Sequence, residues 1–383
     1  MKNEMNIAID TTSFGHDEVK NKNLVNSTSI FTADLLDGFV QLGLAENFTL
    51  IVSENHEEFF TERFPQFKRV VLKWLPLSLV YKFSKGKIKG SKYIKKFGIY
   101  RKIVEKQNFD LIWFPFGGDY SSVKTSIYGV HTIHDLWGFH SGLNNYKGYK
   151  HITNTELNQV VTISDYTRQD FKKIFNYEKE IFVIPNSVNF ELGETKEINK
   201  LKNKKYILDI NAYIIKKNPI TLLKAFNLIK DKIDYDLVFC GGYKEDNIFK
   251  ELTDYIKTNS LSERVYIFYR IPLAEKNWLL SHASLFVTPS LFEGFGRTPV
   301  EAALCKIPVI STKETSLYEA TMGLANYVEN SKDENELANL IIAKIMNPDS
   351  KEKLEQICNT LRNDYSSENC AMKYWKIFKE LEK

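Results

Sequence analysis

The stretch LFVTPSLFEGFGRTPVEAALCKIPVIS, Leu285 to Ser311, decides the fold. Its apolar opening, Leu285–Thr288, reads as a buried strand that ends at Pro289. A short loop with Gly294 and Gly296 follows, and a helix is predicted to start at Thr298-Pro299. Thr298-Pro299-Val300-Glu301 has the form of a capping box with proline at the first helical position. Pro308–Ser311 then reads as the next strand. Strand, glycine turn, helix and strand make one βαβ unit of a parallel sheet. Glycine permits close backbone approach. The first helical turn carries unpaired N–H groups and the positive dipole end, so it suits a phosphate. Glu293 and Glu301 flank this loop with seven residues between them.

Working outward, the same alternation fills the second half. Strands are predicted at Tyr206–Asn211, Leu237–Cys240 and Val265–Phe268, with helical stretches between them. The first half reads similarly. It has strands at Met5–Asp10, Phe48–Ser53, Val70–Trp74, Asp110–Pro115, Tyr128–Leu136, Val160–Ser164 and Ile181–Asn189. A helix over Ser29–Leu42 and another over Asp165–Ile174, capped by Ser164, join them. Glu191–Lys205 holds eight charged residues in fifteen and reads as a linker. The predicted organisation is an N-terminal Rossmann-like domain over 1–190, the linker 191–205, a second Rossmann-like domain over 206–365, and a terminal segment 366–383 whose helix crosses back to the first domain. Two α/β domains of this kind would face each other across a cleft, with ligands at the carboxyl ends of their strands.

The chain of 383 residues fits two domains, and 43% apolar with 26% charged residues is ordinary for a globular protein. No apolar run of 18 residues and no secretory signal pattern stands out. Four scattered cysteines without a Cys-x-x-Cys pair fit a reducing cytosol and argue against a zinc site. The net charge of +4 is unevenly spread: residues 63–104 carry 13 Lys or Arg and no acid, which leaves −9 for the rest. Within that segment Tyr93, Phe97, Tyr100 and Val104 recur at helical spacing. The segment reads either as a solvated basic helix with one face on the core or as a surface for anionic lipid headgroups. No nucleic-acid motif accompanies it, so nucleic acid is not an expected partner.

The Leu285–Ser311 segment resembles the donor domain of the retaining nucleotide-sugar glycosyltransferases, glycosyltransferase family four, with the two-domain GT-B fold. Its Pro-Ser, Glu-Gly-Phe-Gly, the Glu-Ala with seven residues between it and the first Glu, and the Pro-Val-Ile-Ser strand are all features of that family. IPNSVN (Ile184–Asn189) is similar to the family's interdomain turn, NAYIIKKNPITLLKAF (Asn211–Phe226) to its first donor-domain unit, and TIHDL (Thr132–Leu136) to the strand that brings a histidine to the cleft. The resemblance implies that Glu301 binds the donor ribose. It implies that Glu293 with Gly294, Phe295 and Gly296 holds the transferred sugar, that Lys217 contacts the diphosphate, and that His134 approaches the sugar. Arg297 and Thr298 at the helix start, and Asn211 at the end of the first donor strand, complete the implied donor site. No cofactor and no metal are implied, only a nucleoside diphosphate sugar. Asp234-Tyr235-Asp236 has the letters of a metal motif but reads as a solvated strand start.

Two positions depart from the family. Asn211-Ala212 stands where Gly-Arg is usual, and Asn26-Ser27-Thr28 where a glycine-rich loop is usual. Arg297 is then the candidate to replace the missing diphosphate arginine. His131 is read as structural. Ser316 with Glu319 is read as a second capping box, and Tyr269 borders the base pocket. The expected activity is hexosyl transfer to an acceptor hydroxyl, on a glycan or lipid-linked glycan of surface polysaccharide assembly. The expected place is the cytoplasm, with peripheral attachment to the membrane through residues 63–104. The alternatives are a non-catalytic nucleotide-sugar-binding subunit and a nucleotide-sugar epimerase on the same fold.

Overall fold

The computed structural model describes residues 5–22, 24, 26–73, 99–117, 125–142, 147–154 and 156–381. The densest part of the basic segment, with Tyr93 and Phe97, therefore lies outside the described residues. Contacts divide the chain into two units, Met1–Ser187 with Tyr365–Lys383, and Val188–Asp364.

The first unit is built on seven parallel strands: β1 (Ile7–Asp10), β2 (Phe48–Ser53), β3 (Lys68–Leu72), β4 (Leu111–Phe114), β5 (Tyr128–Ile133), β6 (Asn158–Thr162) and β7 (Ile181–Val183). They lie in the order β3-β2-β1-β4-β5-β6-β7. Alternate residues serve opposite faces. Ile7, Ile9, Leu50, Val52 and Trp113 enter one core with Phe31 and Phe39, while Ala8, Ile51, Ile112 and Phe114 enter another with Tyr100 and Val104. Helices on both sides explain why these strands read as unbroken apolar runs. Tyr100 and Val104, the described part of the helical spacing, face the core from the helix Ile99–Val104.

The helix Ser367–Glu380 packs against the helix Ser27–Gln41, bringing Tyr374, Ile377 and Phe378 into the first core. Each such side chain contributes about 1.5–3 kcal/mol of burial. Gly38 makes the approach possible, because a Cβ there would lie 2.2 Å from Ser367 O. The Tyr374 hydroxyl meets Thr132 Oγ1 at 2.9 Å.

The second unit carries β8 (Tyr206–Ile210), β9 (Asp236–Gly241), β10 (Val265–Tyr269), β11 (Leu285–Val287), β12 (Val309–Thr312) and β13 (Asn326–Val328). Their order is β10-β9-β8-β11-β12-β13, all parallel, so the order in which strands are added across the sheet switches sides between β8 and β11. In doubly wound sheets the loops leaving the two strands at such a switch form the binding crevice. β13 is absent from the sequence reading because Val328 is its one buried residue.

The polar stretch read as a linker belongs to this unit. Lys196 N donates to Ala274 O at 2.9 Å and Asn277 Nδ2 to Glu194 O at 3.1 Å, while Ile198 and Leu201 are buried. Asp236 is not a solvated strand start. It is buried in β9, where Lys204 Nζ and Arg264 Nε each reach it at 2.7 Å.

Candidate functional site

The two loops at the switch of the second unit carry most of the sequence-predicted residues. After β8 the chain runs through Asn211 and Ala212 into a short turn, Ile215–Lys217. Asn218 follows with φ +55°. Its Nδ2 donates to Pro289 O at 3.1 Å and to Ser331 O at 2.8 Å. Lys216 O accepts from Leu291 N at 2.8 Å, so the two loops are tied to each other. Pro219 then opens the helix Pro219–Ile229.

After β11 the loop leads to Gly296, φ +103°, and the helix Arg297–Leu304. The Gly296 dihedral demands glycine, and a Cβ there would lie 2.8 Å from Leu317 Cδ2, so that side chain would also have to shift. The helix starts one residue earlier than predicted, and the Thr298–Glu301 capping box does not form. Gly296 is the N-cap residue and Glu301 turns to other partners. Thr298 sits half-buried in the first turn.

The second predicted box, Ser316 with Glu319, also fails. The Ser316 hydroxyl donates to Glu293 O at 2.9 Å and to Phe295 O at 3.0 Å instead of capping its own helix. Thr315 adds a reciprocal pair: its Oγ1 accepts from Glu293 N at 2.9 Å and donates to Glu293 O at 3.0 Å. Neither residue was assigned to the site from sequence. The one available signal was a Thr-Ser pair soon after the predicted strand Pro308–Ser311.

Three ion pairs on two carboxylates fill the site. Lys217 Nζ pairs with Glu293 Oε1, the side chains 16% and 10% exposed. Glu301, 8% exposed, is held by Arg297 Nε on Oε1 at 2.9 Å and by Lys276 Nζ on Oε2 at 3.2 Å. Burial alone would raise the Glu301 carboxyl. Lys276 and Arg297 outweigh it and hold the group below its ordinary value. Lys276, on the helix Leu273–His282, was missed from sequence because only the fold brings it to Glu301. Arg297 pairs with an acid of its own helix.

Asn211 is buried. Its Nδ2 donates to Asp209 Oδ1 at 2.5 Å and to Thr288 Oγ1 at 3.2 Å. Gly241 leaves room for this turn, since a Cβ there would lie 2.3 Å from Asn211 O. Tyr269, at the end of β10, is exposed, with the Arg270 guanidinium 5.2 Å from its ring centre.

His134 belongs to the first unit, just past β5. Its Nε2 donates to Pro115 O at 2.8 Å, its ring meets Phe31 edge-on at 4.9 Å, and burial lowers its pKa, which favours the neutral imidazole. His131 is structural, as read: it stacks on Phe114 at 4.6 Å and meets Asn158 Oδ1 at 3.0 Å. The N-terminal loop is organised by Glu18, which sequence reasoning missed. Its carboxylate accepts from Gly15 N at 3.1 Å, Asn26 N at 2.5 Å and Ser29 Oγ at 2.9 Å. Asn26 in turn caps the helix from Ser27, two residues before the predicted start.

Comparison with known proteins agrees with this architecture. An uncharacterised glycosyltransferase of Methanocaldococcus jannaschii is 27% identical over 305 residues, 77% of this chain and 82% of its own. The O-antigen chain mannosyltransferase B of Escherichia coli is 26% identical over 58% of this chain and 60% of its own. The crystal structure of a glycosyltransferase from Rickettsia africae superposes with a TM-score of 0.72 at 18% identity, covering 99% of both chains. That of Anabaena HepE in complex with UDP and glucose gives 0.67 at 14%, covering 98% of this chain and 100% of that one. The fold of the two units is the GT-B fold. Residues 190–359 match the family model of glycosyl transferases group 1, and residues 35–192 match that of glycosyltransferase family 4. The two models together take in residues 35 to 359, and the chain belongs to glycosyltransferase family 4.

Proposed function

We propose that this glycosyltransferase is a retaining, metal-independent hexosyltransferase that takes its sugar from a nucleoside diphosphate donor. The observation that carries the reading is the pairing of Lys217 with Glu293 and of Arg297 and Lys276 with Glu301 at the switch between β8 and β11. Each pair can trade partners with a donor. Glu301 accepts hydroxyls of the ribose. Glu293, with the Gly294-Phe295-Gly296 backbone, accepts hydroxyls of the transferred sugar, and this frees Lys217 for the diphosphate. Transfer builds negative charge on the departing diphosphate, and a lysine beside a helix N-terminus stabilises that charge. Arg297, at the start of the helix Arg297–Leu304, takes the place of the arginine absent at Ala212. Thr298 and Asn211 complete the pocket, and His134 serves the transferred sugar.

The acceptor proposed is a glycan or lipid-linked glycan of surface polysaccharide assembly. The likeness to an O-antigen mannosyltransferase supports it. The basic run in residues 63–104 supports a cytoplasmic enzyme attached to an anionic membrane face. No helix among the described residues is long and apolar enough to cross a membrane. Ala212 supports one second reading, a binding subunit without turnover of its own.

The test is a thermal-shift panel of nucleotide sugars on the purified chain, followed by donor turnover with the one that stabilises it. Stabilisation and turnover support the transferase. Stabilisation without turnover supports the binding subunit, and no stabilisation by any donor overturns both.

A further inference from the structure

β8 carries a buried carboxyl that no motif assigns. Asp209 is the fourth of its five residues, all of them buried. Its Oδ1 takes the Asn211 amide at 2.5 Å, that amide reaches Thr288 Oγ1 at 3.2 Å, and Thr288 meets Ser290 Oγ at 3.2 Å. A line of side chains thus crosses the switch, from the end of β8 into the loop that presents Glu293. The titratable groups acting on Asp209 are Lys217 in the following turn, Glu293 in the loop after β11, Tyr213 just past β8, and Cys240 on β9. Burial pushes the Cys240 thiol up to about 12 and the Tyr213 phenol well above its ordinary value, so neither exchanges protons near neutrality. Burial also pushes Asp209 up to about 7, against the Asn211 hydrogen bond and Lys217 and with the help of Glu293. A diphosphate at Lys217 adds negative charge to this poorly solvated corner and favours the neutral carboxyl.

We propose that Asp209 is a positioning residue of the donor site, anchoring the Asn211 amide and taking up a proton from solvent when an anionic diphosphate docks at Lys217. The inference rests on the donor-site reading above. It is tested by calorimetric titration of the full chain at pH 7 with UDP-glucose, GDP-mannose, ADP-glucose, CDP-glucose and dTDP-glucose, in buffers of different ionisation enthalpy. These donors lack a group that titrates near neutrality, so protons taken up belong to the protein. The wild type should take up roughly half a proton on binding, and Asp209→Asn, which keeps an acceptor for Asn211, roughly none. The wild type also gives a second reading, because at pH 5 Asp209 is already protonated and the uptake should fall towards zero. Equal uptake in wild type and variant, or undiminished uptake at pH 5, overturns the proposal and leaves the donor site standing. Absence of binding by every donor overturns both.

Discussion

The loops at the carboxyl edges of the two sheets hold buried carboxylates in opposite ways. In the first unit, Glu18 accepts from two backbone N–H groups and a hydroxyl of the loop it shapes. In the second, Glu293 and Glu301 are held by lysine and arginine side chains. A carboxylate satisfied by its own backbone is part of the fold, and replacing it leaves orphaned donors. A carboxylate held by a flexible cation can exchange that partner for a ligand of either sign. The contrast locates the exchangeable chemistry in the second unit and assigns Glu18 to architecture.

The largest effect that breaks this contrast falls on Glu293. Glu293→Ala should lower kcat by about 10³-fold, because contacts to the transferred sugar orient the reacting centre. Glu301→Ala should instead raise the donor KM by about 10²-fold, since ribose contacts persist from ground to transition state. Arg297→Ala should lower kcat/KM by roughly 10²-fold, because it removes the cation proposed for the charge that develops on the departing diphosphate. Steady-state kinetics on folded variants check all three. Wild-type kinetics in Glu293→Ala and Glu301→Ala together would remove the site assignment.

Glu18→Ala sharpens the comparison from the other side. It orphans three donors and should cost about 2 kcal/mol of stability, read as a shifted urea midpoint. Donor affinity should stay unchanged. A variant that loses donor binding while keeping its stability would contradict the architectural role.

Much of this was legible in the chain. β8, β9, β11 and β12 were read to within a residue or two at each end, because strands buried on both faces are plain apolar runs. What escaped depended on partners distant in sequence. Thr298 and Ser316 both match the capping pattern, but Gly296 at positive φ opens the first helix and the Glu293–Phe295 carbonyls claim the Ser316 hydroxyl. Lys276 and Glu18 carry no local signature and Thr315 only its place in a Thr-Ser pair, since their roles exist only once their partners arrive. In Glu191–Lys205 the charged letters describe the solvent-facing side chains. They conceal Ile198, Leu201 and the backbone bonds that fasten the stretch.

The smallest effect separates the units by the sign of their pH dependence. His56 stacks on His16 with ring centres 6.0 Å apart, and its Nδ1 is buried without a hydrogen-bond partner among the described residues. Burial, then the neighbouring His16, lowers it to about 4 from 6.5. The unfolded chain therefore binds the proton first on acidification. The stability His56 carries is complete above about pH 6.5 and is lost as pH falls towards 4. Asp209 has the opposite sign: its folded value near 7 exceeds the ordinary 3.8, so the folded state keeps a proton that the unfolded state releases. Its stability is complete below about pH 4 and is lost as pH rises through 7. Between pH 5.5 and 6.5 the two slopes oppose each other at about 1 kcal/mol each, and the wild-type urea midpoint should be nearly level. His56→Gln should expose the Asp209 slope, with stability falling as pH rises. Asp209→Asn should expose the His56 slope, with stability rising over the same interval. If both variants track the wild type, these two buried groups do not titrate in this window, and the electrostatic contrast between the loops rests on the ion pairs alone.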